Sequence, residues 1–215
     1  MIALLLIFPV LGVPKTCSTN FRSPDSVHEN SATVQDMGHG MQRLILMRHA
    51  KTEPWNEGID DFSRALTPQG HEDAARMAQE IVDLGWSPER ILVSSARRAR
   101  ETCSEVAKVV TGEKVRPMEA LYLTGVRGLT DAVAMNDGAK VLMLIGHNPG
   151  LHDFALNILR EGGSKNHADA LRLNEKFPTS CAALFEMEQD GAFVPANFRL
   201  AHVLRAKDFR SVNLG

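Results

Sequence analysis

The chain lacks the marks of several specialised classes. Its three cysteines, Cys17, Cys103 and Cys181, stand far apart in no C-x-x-C or Cys/His ligand spacing, so they read as free thiols of a reducing compartment. An excess of charge of one sign is nearly absent as well. A formal charge of -2 and a pI of about 6.4 give no long-range pull toward nucleic acid or anionic lipid. The one conspicuous apolar run, Ile2 to Val13, is shorter than the roughly 20 residues a helix needs to cross a bilayer. No Lys or Arg precedes that run, so the basic region of a secretory signal is missing and a cytoplasmic location is expected, with export as the alternative. There is no internal repeat, no low-complexity tract, no G-x-x-x-x-G-K-[ST] loop and no G-x-G-x-x-G turn after a strand, which removes the common nucleotide-binding signatures. His28, His39, His71, His152 and His167 show no metal-ligand spacing, and no metal is expected.

What remains is a chain of 215 residues with the composition of an ordinary globular protein, 44% hydrophobic and 23% charged, long enough for one domain with a sizeable core. Residues 1–40 divide into the apolar run and a Ser-, Thr-, Asn- and Asp-rich leader from Pro14 to Gly40, and the folded domain is expected over 41–215. Met37 and Met41 both precede the first clear strand, which suggests that the true start lies there and that the leader is an upstream mis-assignment.

Beyond Met41, short apolar runs alternate with helical patterns, the mark of an α/β fold with a largely parallel sheet. Strands are expected at Leu44 to Met47, Ile91 to Val93, Lys114 to Met118, Val141 to Ile145 and Ala182 to Met187. Helices are expected at Gly70 to Leu84, Ala96 to Val110, Gly125 to Met135 and Pro149 to Leu159, the last with Pro149 in its first turn and Asn148 as cap. The carboxy-terminal part reads as strand and loop.

Open parallel sheets bind ligands just past the carboxyl ends of their strands. In this chain the first run ends in Arg48-His49-Ala50-Lys51, the second in Ser94-Ser95-Ala96-Arg97-Arg98, and the fourth in Gly146-His147-Asn148-Pro149-Gly150. An Arg-His pair at a buried strand end is costly unless an anion uses it, and phosphate suits this one: Arg48 and Arg98 offer planar forks of donors, and the helix after His147 adds backbone N–H groups and the positive end of its dipole. Neutral imidazole is a competent nucleophile, and arginines with a protonated His147 would stabilise a transferring phosphoryl group by position and charge.

These segments resemble the histidine phosphatase superfamily, in particular its small SixA-like phosphohistidine phosphatase branch. The resemblance rests on L-I-L-M-R-H-A-K at Leu44 to Lys51, L-T-P-Q-G at Leu66 to Gly70, S-S-A-R-R-A-R-E-T at Ser94 to Thr102 and G-H-N-P-G at Gly146 to Gly150, and it covers most of the chain from about Met41 onward. It implies a single three-layer α/β/α domain of the phosphoglycerate-mutase-like kind. It also implies His49 as nucleophile, with Arg48, Arg98 and His147 on the phosphoryl oxygens, and no cofactor. Arg64, in S-R-A-L-T-P, matches a commonly basic position at the pocket rim, and Glu119, after the third strand, is the candidate general acid.

The surrounding motif of Glu119 matches the larger relatives poorly, and a weak acid suits phosphohistidine better than an ester, because an imidazole leaves with little need of protonation. The expected substrate is therefore phosphohistidine on a partner protein such as a histidine phosphotransfer domain. The alternatives are a small phosphate ester, a mutase reaction, and a phosphoprotein-binding module without turnover. No nucleic acid or membrane partner is expected, and the oligomeric state is left open.

Overall fold

The computed structural model describes residues 40–58, 60–110 and 112–209. The leader, the apolar run and the question of the true start lie outside these residues. Strand β1 (Met41–Arg48) opens the domain and is followed by α1 (Pro68–Asp83), β2 (Arg90–Ser94), α2 (Arg97–Ala107), β3 (Lys114–Met118), α3 (Val126–Ala134), β4 (Val141–Gly146), α4 (Gly150–Gly162), α5 (His167–Glu175), β5 (Cys181–Gly191), β6 (Arg199–Arg205) and α6 (Ala206–Phe209). The strands form one sheet in the order β3-β2-β4-β1-β5-β6. The first four in that order run parallel, and β5 alone runs against them, antiparallel to both β1 and β6.

The apolar runs are continuous because the central strands are covered on both faces. Leu44, Leu46, Leu142 and Leu144 face one side, where they pack with Leu129 and Val133 of α3 and Leu151, Phe154 and Ile158 of α4. Ile45, Met47, Met143 and Ile145 face the other, against Met77 and Ile81 of α1 and Cys103 and Val106 of α2. The expected three-layer α/β/α arrangement is thus present. At the edge, β3 is largely exposed and carries Pro117, which lacks the N–H a further strand would need.

L-T-P-Q-G is a helix start. Thr67 caps α1 by accepting from Gly70 N at 3.0 Å, and Pro68 occupies the first turn, where its missing N–H costs nothing. Gly70 is required because a Cβ there would lie 2.2 Å from the carbonyl oxygen of Lys51, the residue two beyond His49. The same reasoning applies at the head of α4, where a Cβ on Gly150 would lie 1.8 Å from the backbone oxygen of Thr124. Gly150→Ala should therefore destabilise the fold by about 1–3 kcal/mol through overpacking, whereas Gly125→Ala, with nothing within 4 Å, should not. Denaturant unfolding of the two variants checks this, and equal midpoints would refute it.

Two expectations need correction. Asn148 does not cap α4: Pro149 holds that position, after a cis Asn148-Pro149 bond, and the Asn148 amide turns away to donate to Phe177 O at 2.8 Å. Helix α5 stands where strand and loop were expected. It is capped by the Asn166 side chain, which accepts from Ala168 N at 2.9 Å, but it buries only Asp169 and Leu173, so its sequence lacks a clear apolar stripe.

Candidate functional site

Pairing of Arg48 with Gly146, and of Val93 with Ile145, brings the carboxyl ends of β1, β2 and β4 to one edge of the sheet. Four of the expected site residues collect there: Arg48 at the end of β1, His49 just beyond it, Arg98 in the first turn of α2, and His147 directly after β4. The two imidazole rings lie 5.1 Å apart between centroids, and His49, Arg98 and His147 are buried. Thr102, one turn along α2 from Arg98, ties the pieces together. Its hydroxyl donates to Arg98 O at 2.7 Å and accepts from Ala50 N at 3.0 Å, locking the loop after β1 onto α2.

The tautomer of His49 follows from its partner. Nδ1 lies 2.9 Å from the carbonyl oxygen of Ala50, which can only accept, so Nδ1 carries the proton and the lone pair of the neutral ring sits on Nε2. Burial holds the His49 pKa down at about 3, with the Ala50 bond opposing and His147, Arg98 and Arg48 assisting. His49 is therefore neutral at physiological pH. His147 behaves alike: burial and then Arg98 lower its pKa to about 4, although Asp61 works the other way. The expectation of a protonated His147 thus fails for the site as it stands, since burial beside guanidiniums disfavours a further cation. The Ser94 hydroxyl lies 2.7 Å from His147 Nε2, and when it donates there the His147 proton sits on Nδ1.

Arg48 donates through Nη1 to Phe177 O at 3.0 Å, the carbonyl that also takes the Asn148 amide. Burial depresses its pKa, but a guanidinium stays charged in proteins. Arg48 Nε and His147 Nδ1 are both buried without a protein partner. Two orphaned nitrogens of this kind within one cationic cluster are suited to an oxyanion.

The structure also adds residues that were not singled out. Asp61, in a short 3-10 turn (Asp61–Ser63), accepts from Arg98 Nη2 at 3.0 Å, from Arg64 Nη1 at 3.0 Å and from the hydroxyl of Tyr122, the chain's one tyrosine, at 2.8 Å. Burial would raise its pKa, but the Tyr122 and Arg64 bonds and the charge of Arg98 bring it to about 2. The Tyr122 ring stands edge-on to His147, with centroids 5.5 Å apart. Arg64 thus reaches the cluster through Asp61, and also donates to Thr52 Oγ1 at 2.8 Å. Glu119 opens the 3-10 turn (Glu119–Leu121) that leads to Tyr122; its side chain is exposed and is not hydrogen-bonded to the cluster. Two further histidines are held by structural partners, His71 on Glu105 at 2.8 Å and His152 on Leu173 O at 2.7 Å.

The family model of the histidine phosphatase superfamily (branch 1) matches residues 44–122, which contain Arg48, His49 and Arg98. An uncharacterised chloroplastic protein of Arabidopsis thaliana is 34% identical over 126 residues, 53% of this chain and 57% of that one, so the match spans little more than half of that relative. An uncharacterised protein of Mycobacterium leprae is 29% identical over 145 residues, covering 66% of this chain and 87% of its own length. Among solved structures, one from Agrobacterium tumefaciens assigned as the phosphohistidine phosphatase SixA superposes with a TM-score of 0.64 at 26% identity, over 77% of this chain and 98% of that one. Motifs, topology and these matches agree in likening the chain to the histidine phosphatase superfamily: the family model covers residues 44–122, and the fold is similar to that of the SixA-assigned structure.

Proposed function

We propose that this protein is a phosphatase that takes the phosphoryl group of its substrate onto His49 Nε2, and that the substrate is phosphohistidine on a partner protein. The observation that carries the reading is the state of His49: neutral through burial, with Nδ1 committed to Ala50 O and Nε2 left as the nucleophilic atom beside two guanidiniums.

The first displacement forms a bond from Nε2 to phosphorus and breaks the bond to the leaving group. The attacking nitrogen has no proton to lose, so no base is required. Arg48, Arg98 and His147 Nδ1–H hold the equatorial oxygens and stabilise the charge that spreads over them. In the second displacement a water attacks phosphorus, the bond to Nε2 breaks, and inorganic phosphate leaves with the imidazole restored.

The acid side of the reaction favours the substrate class. Asp61, with its pKa near 2, is ionised at physiological pH and holds no proton to give, and Glu119 stands exposed outside the bonded cluster. Glu119 would serve an ester substrate by protonating its alkoxide, whereas an imidazole departs without much help. Trp55 and Leu123, which flank the site residues in sequence, are 63% and 54% exposed and offer apolar area that a protein partner can cover.

The test is a panel of phosphohistidine-bearing phosphotransfer domain, phosphoserine peptide and sugar phosphates, compared by kcat/KM and by rapid acid and alkaline quenching with labelled phosphate. The expected outcome is preference for phosphohistidine and an acid-labile, alkali-stable adduct on His49. Faster ester turnover would reverse the substrate ranking, and a phosphoprotein bound with no adduct or turnover would make the chain a binding module.

A further inference from the structure

We propose that Asp61 is a positioning residue that fixes the guanidinium plane of Arg98 for phosphoryl transfer, an inference that rests on the reading of the site given above. Arg98 is buried, and a buried guanidinium without an acceptor is strongly unfavourable. Asp61 supplies two acceptors at once. Its backbone oxygen takes Nη1 at 2.5 Å and its Oδ2 takes Nη2 at 3.0 Å, so both arms of the fork are held from one direction. A single bond would leave the plane free to turn about it, and two bonds do not.

The contact leaves Arg98 able to work. A guanidinium carries five N–H donors, and Asp61 uses two of them, so the fork keeps donors beyond those two for an arriving phosphoryl group. Asp61 is itself held from the outside. Tyr122 donates to the same Oδ2, and Arg64 takes Oδ1, which balances the carboxylate charge next to an anion site. These partners come from three places in the chain: α2, the end of the 3-10 turn after Asp61, and the segment after β3. The Asp61 turn thus joins Arg98 to the Tyr122 ring that stands against His147, with Tyr122 5.8 Å from the Arg98 guanidinium carbon.

The experiment compares Asp61→Asn, Arg98→Lys and the double variant, using steady-state kinetics on the best substrate of the panel and the order of the Arg98 Nε–Hε group by NMR. Asp61→Asn should lower kcat by about 10- to 100-fold through misplacement of the fork, with KM moving less than about 3-fold. On the Arg98→Lys background the same change should have no further effect, because the residue acts through the fork. Arg98 should lose order in Asp61→Asn while the domain stays folded. If Asp61→Asn does not fold, Tyr122→Phe, which removes one bond to Oδ2, should show a smaller loss of the same kind. An unchanged kcat, losses that multiply in the double variant, or a faster enzyme that binds inorganic phosphate more tightly would each overturn the proposal, the last by making Asp61 a plug. A wild type inert on every substrate would sink the phosphatase reading instead. In that case the NMR measurement decides alone, and an Arg98 that stays ordered in Asp61→Asn overturns the positioning role.

Discussion

His49→Ala should abolish turnover, with kcat falling on the order of 10⁴-fold or more, because it removes the atom through which the covalent route passes. Loss of a charge-stabilising group such as Arg98 is a smaller effect, about 10²–10³-fold, since positioning and the other donors remain. The difference in scale is diagnostic. A residue that only lined the pocket would behave like Arg98, and only the nucleophile should also erase the quenched adduct. The variant should still fold, because the His49 ring makes one hydrogen bond, to its neighbouring carbonyl, and the loop around it is secured independently by Thr102 and by Thr67 N, which donates to Lys51 O at 2.9 Å. It should also bind phosphate through Arg48, Arg98 and His147. Steady-state kinetics and labelled quenching check the first expectation and calorimetry the last. Wild-type-like turnover in His49→Ala would defeat the scheme.

Much of this site was legible in the sequence, for a physical reason. Leu44–Met47 and Val141–Ile145 are apolar at every position because both faces of a central parallel strand are covered, and the polar residues that follow such a run emerge at the binding edge. Arg48, His49 and His147 could be found in this way. Arg98 was found through its motif. What was not legible depends on partners distant in sequence and on groups that every residue possesses. Arg48 is anchored by the carbonyl of Phe177, 129 positions away, and no residue type announces a backbone oxygen. Asp61 meets Arg98 across 37 positions and Tyr122 across 61, from a loop whose D-D-F-S reads as ordinary solvated turn. The neutral state of His147 in the site as it stands was not legible either, because burial, the leading cause of its low pKa, is a property of the assembled core.

Burial of the two neutral histidines should make the fold lose stability sharply as pH falls from 7 to 5. In the unfolded chain a histidine titrates near 6.5, but in the fold His49 titrates at about 3 and His147 at about 4. Between those values the unfolded state binds more protons than the folded one, so stability is fully present above about 6.5 and drains away as pH drops toward the folded values. At pH 5 each histidine costs about 2 kcal/mol relative to pH 7, or about 4 kcal/mol for the pair, which for a domain of this size is roughly 10 °C in Tm. The site carboxylate does not disguise the effect. Asp61 has its pKa lowered to about 2 by its hydrogen bonds and Arg98, so its contribution is lost only below the ordinary carboxylate range near 4, outside the window. The measurement is thermal unfolding at pH 7 and pH 5 for the wild type and for His49→Gln/His147→Gln, which removes both titrating rings while keeping polar side chains. The double variant should show a much flatter dependence. Equal slopes in the two proteins would mean that the imidazoles are not held neutral by the fold, and the nucleophile would then lack the uncharged state on which the chemistry depends.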